Sequence, residues 1–216
     1  MPDCGRGPGD PAALGERLDN PGAARRPQRP TRPVIKTIAR RIGDYADHPD
    51  PRAALAGKIA LVVASNQPFY PLYLHWIVGG AAWPAWLTLL TTPVFVAVPW
   101  LAKRNSLAGR ALLPLVGTVN TLFCVKLFGT ASGVELFLLP CALLGTLLFR
   151  PEERLKTAMV AALPFIVYLF IDDRFGPPVM VTREYARLVA LNGMSVAALI
   201  ALIGLLSSTL LATRQV

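Results

Sequence analysis

Seven polar residues that could do chemistry interrupt the apolar stretches of this 216-residue sequence. Amide, imidazole, ammonium and carboxylate groups are costly inside a bilayer, so in a membrane segment they are candidates for ligand binding or for helix packing. Some flank a glycine-rich turn, some lie in the middle of long apolar runs, and some surround a pair of prolines. They are Lys126, Glu135, Asn120, Asn192, Asn66, Gln67 and His75.

The spacing of these residues predicts binding or packing rather than catalysis. The chain contains no GxxxxGK[ST], HExxH, GxSxG or GxGxxG motif, so it offers no phosphate loop and no recognised catalytic signature. Cys4, Cys124 and Cys141 have no CxxC spacing, and there are only two histidines. We therefore expect no enzymatic activity, no metal site and no cofactor.

The roles of the polar residues stay open at this stage. Lys126 and Glu135 lie on opposite sides of the turn Gly129–Gly133 and either form an ion pair or extend separately to the headgroups. Asn120 and Asn192 can hydrogen-bond across helices. The stretch 66–76 is rich in aromatic residues and either lines a pocket for an apolar or quinone-like molecule or forms an aromatic belt at the membrane surface.

Composition predicts the elements that position these residues. The chain is 53% hydrophobic and 16% charged, whereas a soluble domain typically has about 25% charged residues. A membrane-spanning helix needs roughly 20 apolar residues. Six segments approach this requirement, and they predict an all-α, polytopic membrane domain of six transmembrane helices within residues 57–214: 59–78, 83–101, 111–128, 134–149, 156–171 and 188–212.

Two further segments precede this domain. Residues 1–33 are rich in Pro, Gly and Arg without periodicity, and we expect them to be a disordered basic arm. Residues 34–47 carry apolar side chains at three- and four-residue steps with cations elsewhere on the wheel. This pattern predicts a short amphipathic helix in the membrane interface, the alternative being a solvated helix or linker.

The distribution of positive charge predicts the orientation. Eighteen Lys and Arg residues fall on the side of the N-terminus and four on the other side. By the positive-inside rule, we expect both termini to be cytoplasmic. The membrane we expect is a bacterial inner membrane. The net charge of +9 is then a topology signal, and we expect no nucleic-acid partner.

The sixth apolar segment carries small residues on one face. Such residues let two helices approach closely, so this face is a candidate helix-packing surface, either within the chain or between two copies. Its members are Ala197, Ala201, Gly204 and Ser208.

From the third segment onward, the chain resembles a known module. The residues that carry the resemblance are Asn120 and Lys126-Leu-Phe-Gly129-Thr-Ala-Ser-Gly133-Val-Glu-Leu-Phe137, then Leu147-Leu-Phe-Arg150-Pro151-Glu-Glu-Arg154, then Asn192-Gly-Met-Ser195 through Ser207 to Arg214. They are similar to the six-span N-terminal membrane domain of bacterial class III adenylate/guanylate cyclases and to related domains of histidine kinases and diguanylate cyclases. The resemblance implies a sixth helix that leads toward a dimeric catalytic domain, of which this sequence contains no part.

The sequence thus predicts a sensor or anchor module of signalling type. Its partners would be the lipid bilayer, an unknown ligand, and a second copy of the chain or a membrane partner protein. Two alternatives stay open: a small transporter or channel subunit that uses the interrupted first segment, and an accessory subunit of a larger membrane complex.

Overall fold

In a computed structural model, the protein is described over residues 34–172, Phe175 and residues 182–212. The predicted disordered arm, 1–33, lies outside the described residues, as do Asp173, Arg174 and the end of the chain from 213. The described part is helical throughout, without a strand, which confirms the all-α prediction.

Within the described residues, eight α-helices follow one another. They are α1 (Val34–Ala46), α2 (Pro51–Asn66), α3 (Phe69–Val78), α4 (Thr92–Arg104), α5 (Ser106–Phe128), α6 (Leu138–Leu147), α7 (Arg154–Leu169) and α8 (Thr182–Ala212). Between them lie 3-10 helices at Gly79–Thr91, Thr130–Ser132, Val134–Phe137 and Pro151–Glu153.

The predicted count of six spans is not confirmed. In the part of the chain that the structure describes, three helical stretches are long and apolar enough to cross a bilayer, namely Trp83–Arg104, Ser106–Phe128 and Arg183–Thr209. A fourth arises if Val134–Leu147 and Pro151–Leu169, bent by 117° at the break between them, count as one span. Helix α6 has only 10 residues, about 15 Å of helix, and is therefore too short alone.

The first predicted segment, 59–78, is two helices rather than one. Helix α2 begins earlier than predicted, at Pro51, because the Asp50 carboxylate accepts the Arg52 N–H and Pro51 takes the first helical position, an arrangement that favours a helix start. The chain then breaks at Gln67 and Pro68 before α3 begins at Phe69.

Glycines determine the turn between α5 and α6. Gly129 and Gly133 have φ angles of 82° and 71°. Residues other than glycine rarely adopt such positive φ angles. An added Cβ at Gly133 would lie 3.2 Å from the Cα of Val189 in α8. The turn predicted for Gly129–Gly133 is therefore present, and it packs directly on α8.

The helices pack as a bundle with two apolar cores. Helix α2 packs on α4 and α5, α5 on α6, and α6 on α7, while α8 crosses the turn at 130–137 and contacts α3 and α6. We call the end at which α2 and α7 begin the basic end. One core lies toward this end, around Ile59, Phe95 and Leu148. The other lies toward the opposite end, around Leu74, Phe128 and Leu188.

Large apolar side chains cover much of the outer surface. Along α7, Pro164 is the one buried residue, and Leu155, Leu169 and Phe170 are each at least 75% exposed. Trp76, Trp83 and Trp86 are also exposed near one end of the bundle. A continuous apolar exterior is unfavourable in water and is the surface that a bilayer covers.

The α4–α5 contact provides a test of this packing. A Cβ at Gly109 would lie 2.4 Å from the Cα and Cβ of Ala102 in α4, so Gly109→Ala forces two helices apart. We expect this substitution to lower the free energy of unfolding by roughly 1–3 kcal/mol, measured as a lower midpoint of thermal unfolding in detergent. Gly193→Ala is the matched control, since no atom lies within 4 Å of its added Cβ. Equal midpoints for the two variants would contradict the packing.

Candidate functional site

The break between α2 and α3 places an amide side chain inside the bundle. Gln67 sits between the two helices and is 8% exposed, although glutamine is mostly found on protein surfaces. Pro68 and Pro71 follow it, and proline cannot donate to the helical hydrogen bonds. Asn66, one residue earlier, is exposed.

Gln67 belongs to a chain of neutral hydrogen bonds that crosses three segments. Its Nε2 donates to Thr91 Oγ1 at 2.8 Å, and its Oε1 accepts from the Thr92 hydroxyl. Thr91 Oγ1 lies 2.7 Å from Asn120 Oδ1 and 2.9 Å from the Thr88 carbonyl, and it donates to one of these two. The chain joins the α2–α3 break, the start of α4 and the middle of α5.

A cavity of about 600 Å³ lies beside this chain of hydrogen bonds. Its volume is in the range of small-molecule sites. It lies between the two apolar cores, because Phe95 and Leu113 of one and Cys124 and Val134 of the other line it. The polar lining residues include Asn66, Gln67, Asn120, Thr88, Tyr70 and Ser195, and none of the lining residues is ionisable as Asp, Glu, Lys, Arg or His.

Two enclosed polar atoms lie at the end of the cavity near α3. The Tyr70 hydroxyl and the Asn192 Oδ1 are both shielded from solvent, and neither makes a hydrogen bond of good geometry. The two side chains are neighbours, and Tyr70 lines the cavity. A buried polar atom without a well-formed partner is costly, so this is where a ligand with a hydrogen-bonding group gains most.

Hydrogen bonds from α8 hold this helix against the end of α5 and the turn that follows it. Asn192, which is fully buried, donates from Nδ2 to the Ser132 carbonyl at 2.9 Å. The Tyr185 hydroxyl donates to the Phe128 carbonyl at 3.0 Å. Asn192 therefore ties α8 to the turn after α5, the packing role that its position in an apolar run predicted.

A second polar cluster lies at the basic end, and sequence reasoning missed it. Arg110 of α5 is 2% exposed. Its guanidinium donates to both carboxylate oxygens of Glu153, at 2.8 and 3.0 Å, and to the Leu148 carbonyl at 2.8 Å. Its Nε lies 3.7 Å from Asp50 Oδ2, which also accepts from Ser106 and Arg150. We call Arg110, Asp50, Glu153 and Arg150 the ion cluster.

The ion cluster holds its two carboxylates in the charged form. Hydrogen bonds from Arg110, with a smaller opposing effect of burial, lower the pKa of Glu153 to about 2. For Asp50, burial favours the neutral form, but hydrogen bonds from Ser106, the Arg52 amide and Arg150, together with the charge of Arg110, outweigh it and lower the pKa to about 2.

Other predicted residues are not brought to the cavity. Lys126 donates to the Phe175 carbonyl at 2.8 Å and lies over the Phe175 ring. No ion pair joins it to Glu135 in the described part of the chain, because the 3-10 turn places Glu135 elsewhere, with one carboxylate oxygen enclosed and without a hydrogen bond. His75 is exposed and does not line the cavity. Within residues 34–172 and 182–212, no group of His, Cys, Asp and Glu could hold a metal ion.

The predicted packing face of α8 is open. Ala197, Ala201, Gly204 and Ser208 are all exposed, and a Cβ at Gly204 would meet no atom within 4 Å. The face that packs inside the bundle is a different one, carrying Leu188, Asn192, Val196 and Ile203. The intrachain alternative for the small-residue face is therefore wrong for the described residues.

A family model matches residues 44–213, which include α2 to α8, the cavity and the ion cluster. The chain belongs to the MASE7 family. MASE7 is a family of membrane-associated sensor domains. No curated protein and no solved structure matches the chain.

Membership in MASE7 establishes a membrane-associated sensor domain of signalling proteins. It does not show the more specific likeness to cyclase membrane domains that the sequence suggested. The matched range begins at residue 44, before the start of α2 at Pro51. The ion cluster therefore lies within the MASE7 domain.

The ion cluster makes this MASE7 domain less stable at acidic pH. Both carboxylates have lowered pKa values when folded, so their stabilisation is complete above about pH 4.5, the ordinary Glu value, and is lost as the pH falls toward 2. We expect Glu153→Gln to cost about 3 kcal/mol at neutral pH, because it leaves the buried Arg110 without its paired carboxylate. The measurement is chemical unfolding in detergent from pH 7 to pH 2.5.

Glu152→Gln is the control, since Glu152 is exposed and makes no hydrogen bond to Arg110. This variant should retain the acid-dependent loss of stability, while Glu153→Gln should show a flatter profile below pH 4.5. If both variants unfold at the same denaturant concentration at pH 7, the ion cluster does not hold this end of the bundle.

Proposed function

We propose that this chain is the sensing part of an inner-membrane signalling protein, that it has no catalytic activity of its own, and that a neutral, largely apolar molecule binds in the cavity. The observation that carries the proposal is the cavity itself: an uncharged, mostly apolar space lined by amides and hydroxyls within a MASE7 domain. Burial of an unpaired charge there would be strongly unfavourable, so a charged ligand is disfavoured.

The lining residues indicate the chemistry of the ligand. The Tyr70 hydroxyl offers a donor, and Gln67, Asn120 and Thr88 provide further polar groups along one wall. The remaining lining side chains are mainly aliphatic and aromatic, including Phe69, Phe95 and Phe137. A carbonyl-bearing apolar molecule such as a quinone satisfies both halves of the cavity, and it can arrive from the bilayer.

The output in this proposal runs through α8. Leu191, Ser195, Ala198 and Leu199 line the cavity from one side of this helix, while Ala197, Ala201, Gly204 and Ser208 are exposed on it. A ligand that displaces the residues lining the cavity would also displace the exposed small residues, because both sets belong to the same helix. We propose that the exposed small residues contact the same helix in a second copy, so that the signal is a change in the packing of two α8 helices.

The proposed topology has six spans, with both termini in the cytoplasm. Helix α2 with α3, the 79–104 stretch, α5, α6 with its preceding 3-10 turn, α7 and α8 would each cross the membrane. The clustering of Lys103, Arg104, Arg110, Arg150 and Lys156 near one end of the bundle supports this orientation by the positive-inside rule. The exposed apolar face of α1, which includes Ile38 and Ile42, supports its placement in the interface.

Ligand binding can be measured with decylubiquinone as the probe. Ala198→Phe fills part of the cavity, since Ala198 lines it. Titration of the probe should raise the unfolding temperature of the unmodified chain in detergent, and this rise should be lost in Ala198→Phe. Ala190→Phe is the matched control on the same helix, because Ala190 is exposed and does not line the cavity. A probe effect that is equal in both variants, or absent from the unmodified chain, would reject this ligand class.

The α8 contact can be tested by disulfide crosslinking in native membranes. With Cys4 replaced by serine, Cys124 and Cys141 stay buried, and single cysteines at positions 197, 201, 204 and 208 should each give a crosslinked dimer. Ile203→Cys is the control, because this position is fully buried in the bundle and should not crosslink. No symmetric dimer at any of the four positions would contradict the seam without affecting the ligand result.

A transporter or channel subunit is the second candidate. The interruption between α2 and α3 lines the cavity through Asn66 and Gln67, and interrupted helices of this kind surround substrates in transporters. Uptake into proteoliposomes of a polar solute that does not cross lipid unaided, lost in Gln67→Leu, would favour this function over sensing.

A further inference from the structure

The basic end carries a second recess, distinct from the cavity beside Gln67, which we call the ligand cavity. It is a groove of about 550 Å³ between α2, the α6–α7 turn, α7 and α8. Arg52, Arg150 and Arg154 line it together with three hydroxyl side chains, those of Thr146, Thr157 and Ser207. The rest of its surface is apolar, with Leu55, Leu147 and Ala158 among the lining residues. We call it the basic groove.

Two of the three arginines have no acidic partner among the described residues. Arg150 donates to Asp50 at 3.0 Å, and Arg154 Nε donates to the Pro151 carbonyl at 3.2 Å. Neither Arg52 nor Arg154 forms an ion pair within residues 34–172 and 182–212. Arg52 is nonetheless half-buried, and a half-buried guanidinium without a counterion is unfavourable.

The neighbouring acids do not neutralise this excess. Asp50 and Glu153 are already bound by Arg110 and Arg150, and these four charges balance. Glu152 is exposed and does not line the groove. The basic groove therefore presents two positive charges beyond the balanced ion cluster.

The geometry points to a binding site for one anionic phospholipid, with its phosphate on Arg52 and Arg154 and an acyl chain on the apolar floor. Arginine forms strong, charge-assisted hydrogen bonds with phosphate, whereas the hydroxyls of Thr146 and Thr157 already donate to the carbonyls of Leu143 and Glu153. A free phosphate would use the arginines but not the floor beside Leu55, Leu147 and Ala158. The floor is the reason that the structure favours the lipid.

Occupancy of the basic groove would act on α8. Ser207, near the end of this helix, lines the groove opposite the arginines. A lipid that contacts both sides would hold the last turns of α8 against the bundle. The site does not depend on the ligand cavity, and lipid binding is measured without any signalling output, so the two proposals succeed or fail separately.

Native mass spectrometry of the full chain in mild detergent tests the site. Phosphatidylglycerol and phosphatidylcholine with the same acyl chains serve as probes. One phosphatidylglycerol should be retained about tenfold more strongly than phosphatidylcholine, because both carry a phosphate but the choline cation of the second is repelled by the arginines. Arg52→Gln with Arg154→Gln should bring the two lipids to parity.

Arg40→Gln with Arg41→Gln is the matched control, since it removes the same charge from exposed positions on α1. This variant should keep the preference. An equal loss in the control would assign the effect to general attraction of anionic lipids, and equal retention of both lipids by the unmodified chain would overturn the site outright.

Two further arms separate lipid from phosphate and binding from folding. Ala158→Trp fills the floor without changing charge and should abolish the preference, whereas Ala162→Trp, exposed on α7 outside the groove, should retain it. Inorganic phosphate at millimolar concentration should not displace the lipid. Arginine-dependent binding of inorganic phosphate that is unaffected by Ala158→Trp would overturn the lipid in favour of a free anion.

Discussion

The buried guanidinium of Arg110 is the interaction on which one end of this bundle depends. A charge in the interior is tolerated only when its partners are fully in place, and here the partners come from three separate segments: Asp50 before α2, Leu148 after α6 and Glu153 before α7. The positions of these segments relative to α5 are therefore coupled. The opposite end is held by neutral bonds, from Asn192 and Tyr185 to backbone carbonyls, which typically contribute about 1 kcal/mol each. The bundle thus has a firmly fixed end and a more easily deformed end, with the cavity between them.

This asymmetry suits a sensor. The hydrogen bonds around the cavity join Gln67, Thr91 and Asn120 through a hydroxyl that has two acceptors but only one proton. Exchange between the Asn120 side chain and the Thr88 carbonyl requires only rotation of the Thr91 hydroxyl, so the wall has two arrangements of similar polarity. A ligand changes such an equilibrium only by the difference in its affinity for the two states. A neutral wall with alternative hydrogen bonds provides that difference, whereas the two-point pairing of Arg110 with Glu153 offers no such alternative.

Much of the fold could be predicted from sequence, because apolar length and glycine turns are local signals. The helix of 34–46, the turn at Gly129–Gly133 and the cross-helix role of Asn192 all follow from residue type and spacing. The ion cluster could not be predicted in the same way, since Arg110 and Glu153 are 43 positions apart and each alone resembles a charge at a helix end. A retrievable signal was nevertheless present: Arg150 and Glu153 flank a proline in the spacing of a capping box, and Asp50-Pro51 is a helix start. The count of six spans was not recovered because α6 is short and α2 breaks at Gln67, features that depend on packing rather than on mean composition.

Helix α8 contacts the glycine turn, the cavity and the basic groove. Its 31 residues extend for about 46 Å. Asn192 meets the glycine turn, Ser195 lines the ligand cavity and Ser207 lines the basic groove. These three residues are spaced at three and then twelve positions, so they lie along one side of a continuous helix, and the small residues are exposed on another. A stiff helix moves as one body, by tilting, rotating or shifting along its axis. Rotation moves both of its sides at once. In the proposed mechanism, lipid at the basic groove would resist that rotation and a ligand in the cavity would drive it, so that the orientation of α8 would be the quantity that the domain controls.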